Sequence, residues 1–163
     1  MKIRELVLLF GILLGLGINY ASSQEIETID RNGLKTYLHQ NDDTTYVLNF
    51  WATWCKPCVE EMPDFLKLNR EMQNERFKMV LISLDFPSQV ESRLIPYIEE
   101  NNIDAEVVLL DDPNSNAWIP MVNENWSGAI PGTLIYNHNN REFFEKKLHY
   151  KELKTIVEQY LNK

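Results

Sequence analysis

The chain has 163 residues, 44% hydrophobic and 25% charged, with a net charge of −8 at pH 7. That length bounds one domain with a sizeable core. The acidic balance leaves no electrostatic reason to bind nucleic acid or an anionic lipid surface.

The first residues differ from the rest. Lys2 and Arg4 precede an apolar run from Leu6 to Ile18, and small residues stand at Ala21 and Ser23. This order reads as a secretory signal over residues 1–23, cleaved after Ser23 and leaving a domain of residues 24–163. The run is shorter than the roughly 20 residues that span a bilayer, and an uncleaved N-terminal membrane anchor is the alternative. No cysteine follows it, which argues against a lipid-modified N-terminus. Losing Lys2, Arg4 and Glu5 makes the remainder more acidic still. Outside the cytosol, thiols can persist as disulfides.

Asp30 is placed to cap a helix running to about Gln40, with Leu34, Tyr37 and Leu38 on one face. Thr45 to Trp51, TYVLNFW, is β-branched and aromatic and reads as a buried strand. Cys55 and Cys58 follow at once. Glu60 to about Glu75 is rich in helix formers, with Met62, Phe65, Leu66, Leu68 and Met72 available to face a core, and Pro63 is expected to kink it. Phe77 to Leu84 is a second buried strand. Ser88 and Glu91 have capping-box spacing and open a helix to about Asn101, with a kink or break at Pro96. Ala105 to Leu110 is a third strand, and a short helix is expected over Ala117 to Val122. Thr133–Tyr136 and Glu142–Lys147 flank an Asn-His-Asn-Asn turn as a hairpin. Leu153, Ile156, Val157, Tyr160 and Leu161 then mark an amphipathic last helix. Alternation followed by a hairpin implies an α/β fold, a mixed sheet with helices on both faces.

Cys55 and Cys58 are the only two cysteines, three positions apart. A disulfide across so small a loop removes little chain entropy, about 2 kcal/mol in the loop-closure picture, so it is a poor structural staple. Zinc asks for four ligands, and His39, His138 and His149 all lie far from the pair in sequence. Haem attachment needs His after the second cysteine, and position 59 is Val. Redox chemistry fits best. At a strand-to-helix junction, Cys55 meets the unpaired N–H groups of a helix start, which stabilise a thiolate. Cys58 lies one turn on, able to close a disulfide. Cys55 is the expected attacking sulfur and Cys58 the shielded resolving one. Pro57 suits a first helical turn, and Lys56 adds a positive charge nearby.

FWATWCKPC on such a junction, followed by Pro63 and later by AIPGT, resembles the thioredoxin superfamily over roughly Thr44 to Leu161. Within it, the export signal, the extra helix and strand at about Ser88 to Leu110, and Glu61 resemble the TlpA/ResA-like exported thiol–disulfide oxidoreductases. The resemblance implies a thioredoxin-like mixed central sheet with a helix–strand insertion. It also implies a periplasmic or other extracytoplasmic reducing role toward exported proteins, such as cysteines destined for haem attachment. Protein disulfides or dithiols are then the substrates, a membrane electron donor supplies the electrons, and no metal or organic cofactor is needed.

Glu61 reads by spacing alone as a solvated glutamate like Glu60. The resemblance makes it a buried acid that opposes thiolate formation or takes the proton of Cys58. Asn49 stands where thioredoxin itself carries a buried Asp, so that proton acceptor is missing. The resemblance also implies that Ile130–Pro131 is cis and lies against the sulfurs, leaving the backbone of Ile130 free to pair with a substrate strand. Trp51 is expected in the core and Trp54 at the rim, where it touches a partner. For Trp126, core packing and partner contact weigh equally. Three alternatives stay open: a disulfide donor or isomerase, a metal-binding chaperone on the same fold, and a peptide-binding module with a vestigial disulfide.

Overall fold

The computed structural model describes residues 26–162. The expected signal and its cleavage point at Ser23 lie outside them. In chain order the elements are β1 (Glu27–Ile29), α1 (Arg31–Leu38), β2 (Thr45–Trp51), α2 (Lys56–Glu71), β3 (Phe77–Ser83), α3 (Ile95–Glu100), β4 (Glu106–Leu110), α4 (Ser115–Val122), β5 (Gly132–Tyr136), β6 (Arg141–Phe144) and α5 (Tyr150–Leu161). The strands form one sheet in the order β1-β4-β3-β2-β5-β6. β1, β4, β3 and β2 run parallel, and β5 and β6 are antiparallel additions. This is the mixed sheet expected.

Every residue of β2 is buried, as a central strand covered on both faces requires. Its period-2 alternation feeds two cores. Val47 and Trp51 pack with Met62, Phe65 and Leu68 of α2 and with Leu153 and Val157 of α5. Leu48 and Phe50 pack on the other face with Leu34 and Leu38 of α1 and Trp118 of α4. Asp30 caps α1 as expected, accepting from the N–H groups of Asn32 and Gly33.

The register explains where the chemistry falls. β2 runs beside β3 from Thr45↔Phe77 to Trp51↔Ser83, and beside β5 with Phe50 opposite Gly132. The exit of β2, the exit of β3 and the entrance of β5 therefore lie side by side. Cys55, Asp85 and Pro131 follow or precede those ends by a few residues.

Three sequence readings need correction. β1 was not expected. It is three residues long, and it exists through pairing with Val108–Leu110 of β4, a contact that local pattern does not encode. The Ser88–Glu91 capping box does not form: Pro87–Gln89 is a 3₁₀ turn and Val90–Leu94 a π turn, and neither has a side-chain cap. Pro96 has no N–H to return to residue 92, so the regular α-helix begins only at Ile95. α2 runs from Lys56 to Glu71 with Pro63 inside it, starting before the expected Glu60 and ending short of Glu75. Among the described residues, no helix is long and apolar enough to cross a membrane.

Candidate active site

Cys55 caps α2 in extended backbone, and its Sγ accepts the N–H of Cys58 at 3.3 Å. The two sulfurs are joined as a disulfide, with Cα atoms 5.3 Å apart. Cys55 keeps 6% of its surface exposed, whereas Cys58 keeps none. The helix start aims free backbone N–H groups and its positive dipole end at Cys55, an environment that favours a thiolate once the bond is reduced. Pro57 occupies the first turn of α2, where a missing N–H costs nothing. Lys56 points into solvent and sits 4.0 Å from Glu60.

Ile130–Pro131 is cis. The Ile130 carbonyl oxygen lies 3.7 Å from Cys55 Sγ, a contact that becomes a possible S–H donation in the dithiol. This segment is held from beneath by Trp126, whose Nε1–H donates to the Ala129 carbonyl at 2.8 Å. Trp126 is buried and packs on Phe50, Trp118 and Phe143, which resolves its reading as core rather than rim. Gly132 lets the two rings close over this segment. A Cβ at that position would sit 2.9 Å from Phe143 and 3.2 Å from Trp126, inside contact distance.

Glu61 is wholly buried and not the solvated residue that spacing alone gives. Period-2 alternation turns Asn49 of β2 toward α2, and its Nδ2 donates to Glu61 Oε1 and to Thr133 Oγ1, both at 3.0 Å. The backbone N–H of Leu148 donates to Glu61 Oε2 at 2.8 Å. Burial pushes the Glu61 carboxyl up to about 7; the Leu148 N–H, Asn49 and Lys147 oppose the rise, and Asp64 adds to it. Asn49 Oδ1 is buried with no partner. Glu61 thus lies one turn past Cys58 on α2, a buried carboxyl held above the usual carboxylate range.

Asp85 carries a role that the sequence reading missed. It is buried, yet no cation pairs with it among the described residues. Its carboxylate accepts the Thr53 N–H at 3.0 and 3.2 Å, the Thr53 hydroxyl, and the Ser83 hydroxyl at 2.8 Å. It ties the end of β3 to the turn that delivers Cys55. Asp85→Ala leaves those donors without their acceptor and is expected to cost roughly 1.5–3 kcal/mol in urea unfolding. Asp85→Asn keeps one acceptor oxygen and should lose less. A cost under about 0.5 kcal/mol for the alanine variant would remove Asp85 from this role.

Trp54 is 48% exposed at the rim, as expected, and Phe86 is 59% exposed beside it. The rings stack with centroids 6.5 Å apart. Phe86 was not legible as a site residue, because nothing local distinguishes it from the end of the apolar β3 run. Among the described residues, no three His, Cys, Asp or Glu side chains cluster as a metal-ligand set.

Known proteins resemble this chain at two levels. A family model described as AhpC/TSA family matches residues 22–141. Thioredoxin-like protein YneN of Bacillus subtilis (strain 168) is 39% identical over 61 residues, 37% of this chain and 34% of that protein. Thiol-disulfide oxidoreductase ResA of Oceanobacillus iheyensis is 43% identical over 49 residues, 30% of this chain and 26% of that protein. The matches therefore span about a third or less of these curated relatives. Among solved structures, a thioredoxin-related protein from Neisseria meningitidis serogroup B superposes with a TM-score of 0.64 at 22% identity, over 77% of this chain and 89% of that one. StoA from Bacillus subtilis gives a TM-score of 0.55 at 22% identity, over 71% and 83%. A secreted thiol-disulfide isomerase from Corynebacterium glutamicum gives 0.62 at 17% identity, over 75% and 73%. At such identities the likeness carries the fold, and the fold is thioredoxin-like.

Proposed function

The chain belongs to the AhpC/TSA family, and on that premise we propose that it is a thiol–disulfide oxidoreductase working outside the cytoplasm, where Cys55 and Cys58 reduce disulfides of exported proteins. Residues 1–23 would address it for export and residues 24–163 would form the working domain. The secreted relative from Corynebacterium glutamicum supports that location.

In the reducing direction the Cys55 thiolate attacks one sulfur of a substrate disulfide. A Cys55–substrate bond forms, the substrate S–S bond breaks, and the leaving sulfur takes a proton from solvent. Cys58, losing its proton to Glu61, then attacks Cys55 Sγ. The Cys55–Cys58 bond forms and the second substrate thiol leaves. Two electrons pass from the dithiol to the substrate, so each cycle needs an external dithiol or membrane donor to reset the pair. Pro131 and the free backbone of Ile130 would seat the substrate strand against the sulfurs, beside Trp54, Lys56 and Pro57.

The burial of Glu61 behind the pair is the observation that carries the direction. A carboxylate there disfavours a second negative charge on Cys58, and Lys56 is turned away to solvent and Glu60. Only the Cys55 thiolate is then favoured, by the helix start, while charge on Cys58 is opposed. A pair whose second thiolate is stabilised poorly holds its disulfide firmly and gives electrons up readily. The test is the reduction potential of the full chain in a thiol redox buffer. We expect a value near or below roughly −250 mV, on the thioredoxin side, whereas a value near about −120 mV would make it a disulfide donor.

A further inference from the structure

Trp54 and Phe86 are the large hydrophobic side chains that stand exposed among the described residues. They come from different elements, the turn before Cys55 and the loop after β3, yet their rings stack with planes 29° apart. Asp85, directly before Phe86, is bonded to the N–H and hydroxyl of Thr53, directly before Trp54. The two aromatics are therefore fixed to one another and to the turn that carries Cys55.

We propose that Trp54 and Phe86 form a platform that takes an apolar side chain neighbouring the target cysteine of an extended polypeptide disulfide. The proposal rests on the redox reading of Cys55 and Cys58 and names the kind of substrate that reading leaves open. Exchange requires the partner's sulfur to bond to Cys55 Sγ, and Ile130, on which the substrate strand would seat, lines one side of that sulfur with its carbonyl at 3.7 Å. Trp54 directly precedes Cys55 in the chain, so the aromatic pair stands beside the turn that presents the sulfur and is within reach of a partner strand bound there. In an extended strand, successive residues advance about 3.3 Å, so the neighbours of the partner's cysteine fall within the span of two rings whose centroids are 6.5 Å apart. The platform has no charge of its own. Its natural ligand is apolar surface, which two exposed aromatic faces bury at little entropic cost because Asp85 holds them in place. A small disulfide has too little surface to cover both rings while bonded to Cys55, so the platform would favour polypeptides.

The test uses the reduced full chain and two peptides with the same disulfide loop, one with Phe and one with Ser beside the target cysteine. Wild type is expected to reduce the Phe peptide about tenfold faster in kcat/KM. Phe86→Ser should bring that ratio under about twofold, and Phe86→Tyr should keep it, because aromatic surface rather than the fold is being read. Reduction of dithiobis-nitrobenzoate with equal rates on the two peptides leaves the redox reading standing and overturns the platform. An unchanged ratio in Phe86→Ser overturns it as well. A wild-type chain that reduces neither the peptides nor dithiobis-nitrobenzoate overturns the redox reading, and the platform falls with it.

Discussion

Cys55→Ser is expected to abolish disulfide reduction, with kcat/KM falling by roughly 10⁴-fold or more, the scale of losing a covalent nucleophile. Cys58→Ser should also stop turnover but at a different point. Cys55 is the sulfur with exposed surface, the one at the helix start and the one beside Ile130. With Cys58 replaced, Cys55 still attacks the substrate, and no internal thiol remains to release it. The Cys58→Ser protein therefore accumulates a covalent adduct with the substrate, read as a mass increase that dithiothreitol removes. The Cys55→Ser protein should form none, since Cys58 is wholly buried, in the core that also holds Met62 and Phe65 of its helix. Adduct on the Cys55→Ser variant and none on the Cys58→Ser variant would exchange the two roles.

The parts of this site that local pattern encodes were legible, and those that depend on distant pairing were not. TYVLNFW announces a central strand by composition, and the helix formers that follow the cysteines place the pair at a strand-to-helix junction. Asp30 marks a helix by one side chain. The cis peptide before Pro131 came from resemblance, since spacing alone favours trans. Glu61 shows the limit most clearly. Its burial depends on Asn49 from β2 and the N–H of Leu148, 12 and 87 positions away. Neither partner bears a sequence signature. Asp85 and Phe86 fail in the same way: they matter because β3 ends beside β2, a fact of register. Trp126 looked equally fit for rim or core, and the three aromatics it packs on, Phe50, Trp118 and Phe143, come from three other elements.

Glu61→Gln should change both the pH dependence of stability and the rate of the resolving step. Burial raises the Glu61 carboxyl from its ordinary 4.5 to about 7 in the folded protein. Between those values the native state holds a proton that the unfolded chain has lost. Its contribution to stability is therefore full below about pH 4.5, declines as pH rises, and is gone above about 7. The decline amounts to about 3 kcal/mol in all. Glutamine fits the same space. Its carbonyl can accept the Leu148 N–H, and its amide can donate to Asn49 Oδ1, now without a partner, once the Asn49 amide turns over. The difference in unfolding free energy between wild type and Glu61→Gln should thus move toward the variant by about 3 kcal/mol from pH 4 to pH 8. A difference that stays flat would mean that Glu61 titrates as an ordinary surface carboxylate. The kinetic effect has the opposite pH sense, because the ionised form accepts the proton of Cys58. Resolution of a mixed disulfide on Cys55 should quicken through about pH 7 in wild type. In the variant it should be slower by roughly 10²-fold at pH 8, with no inflection near 7. Stability and rate then report one proton at one carboxyl, and a variant that shifts the first without the second would leave Glu61 as a buried acid that takes no part in exchange.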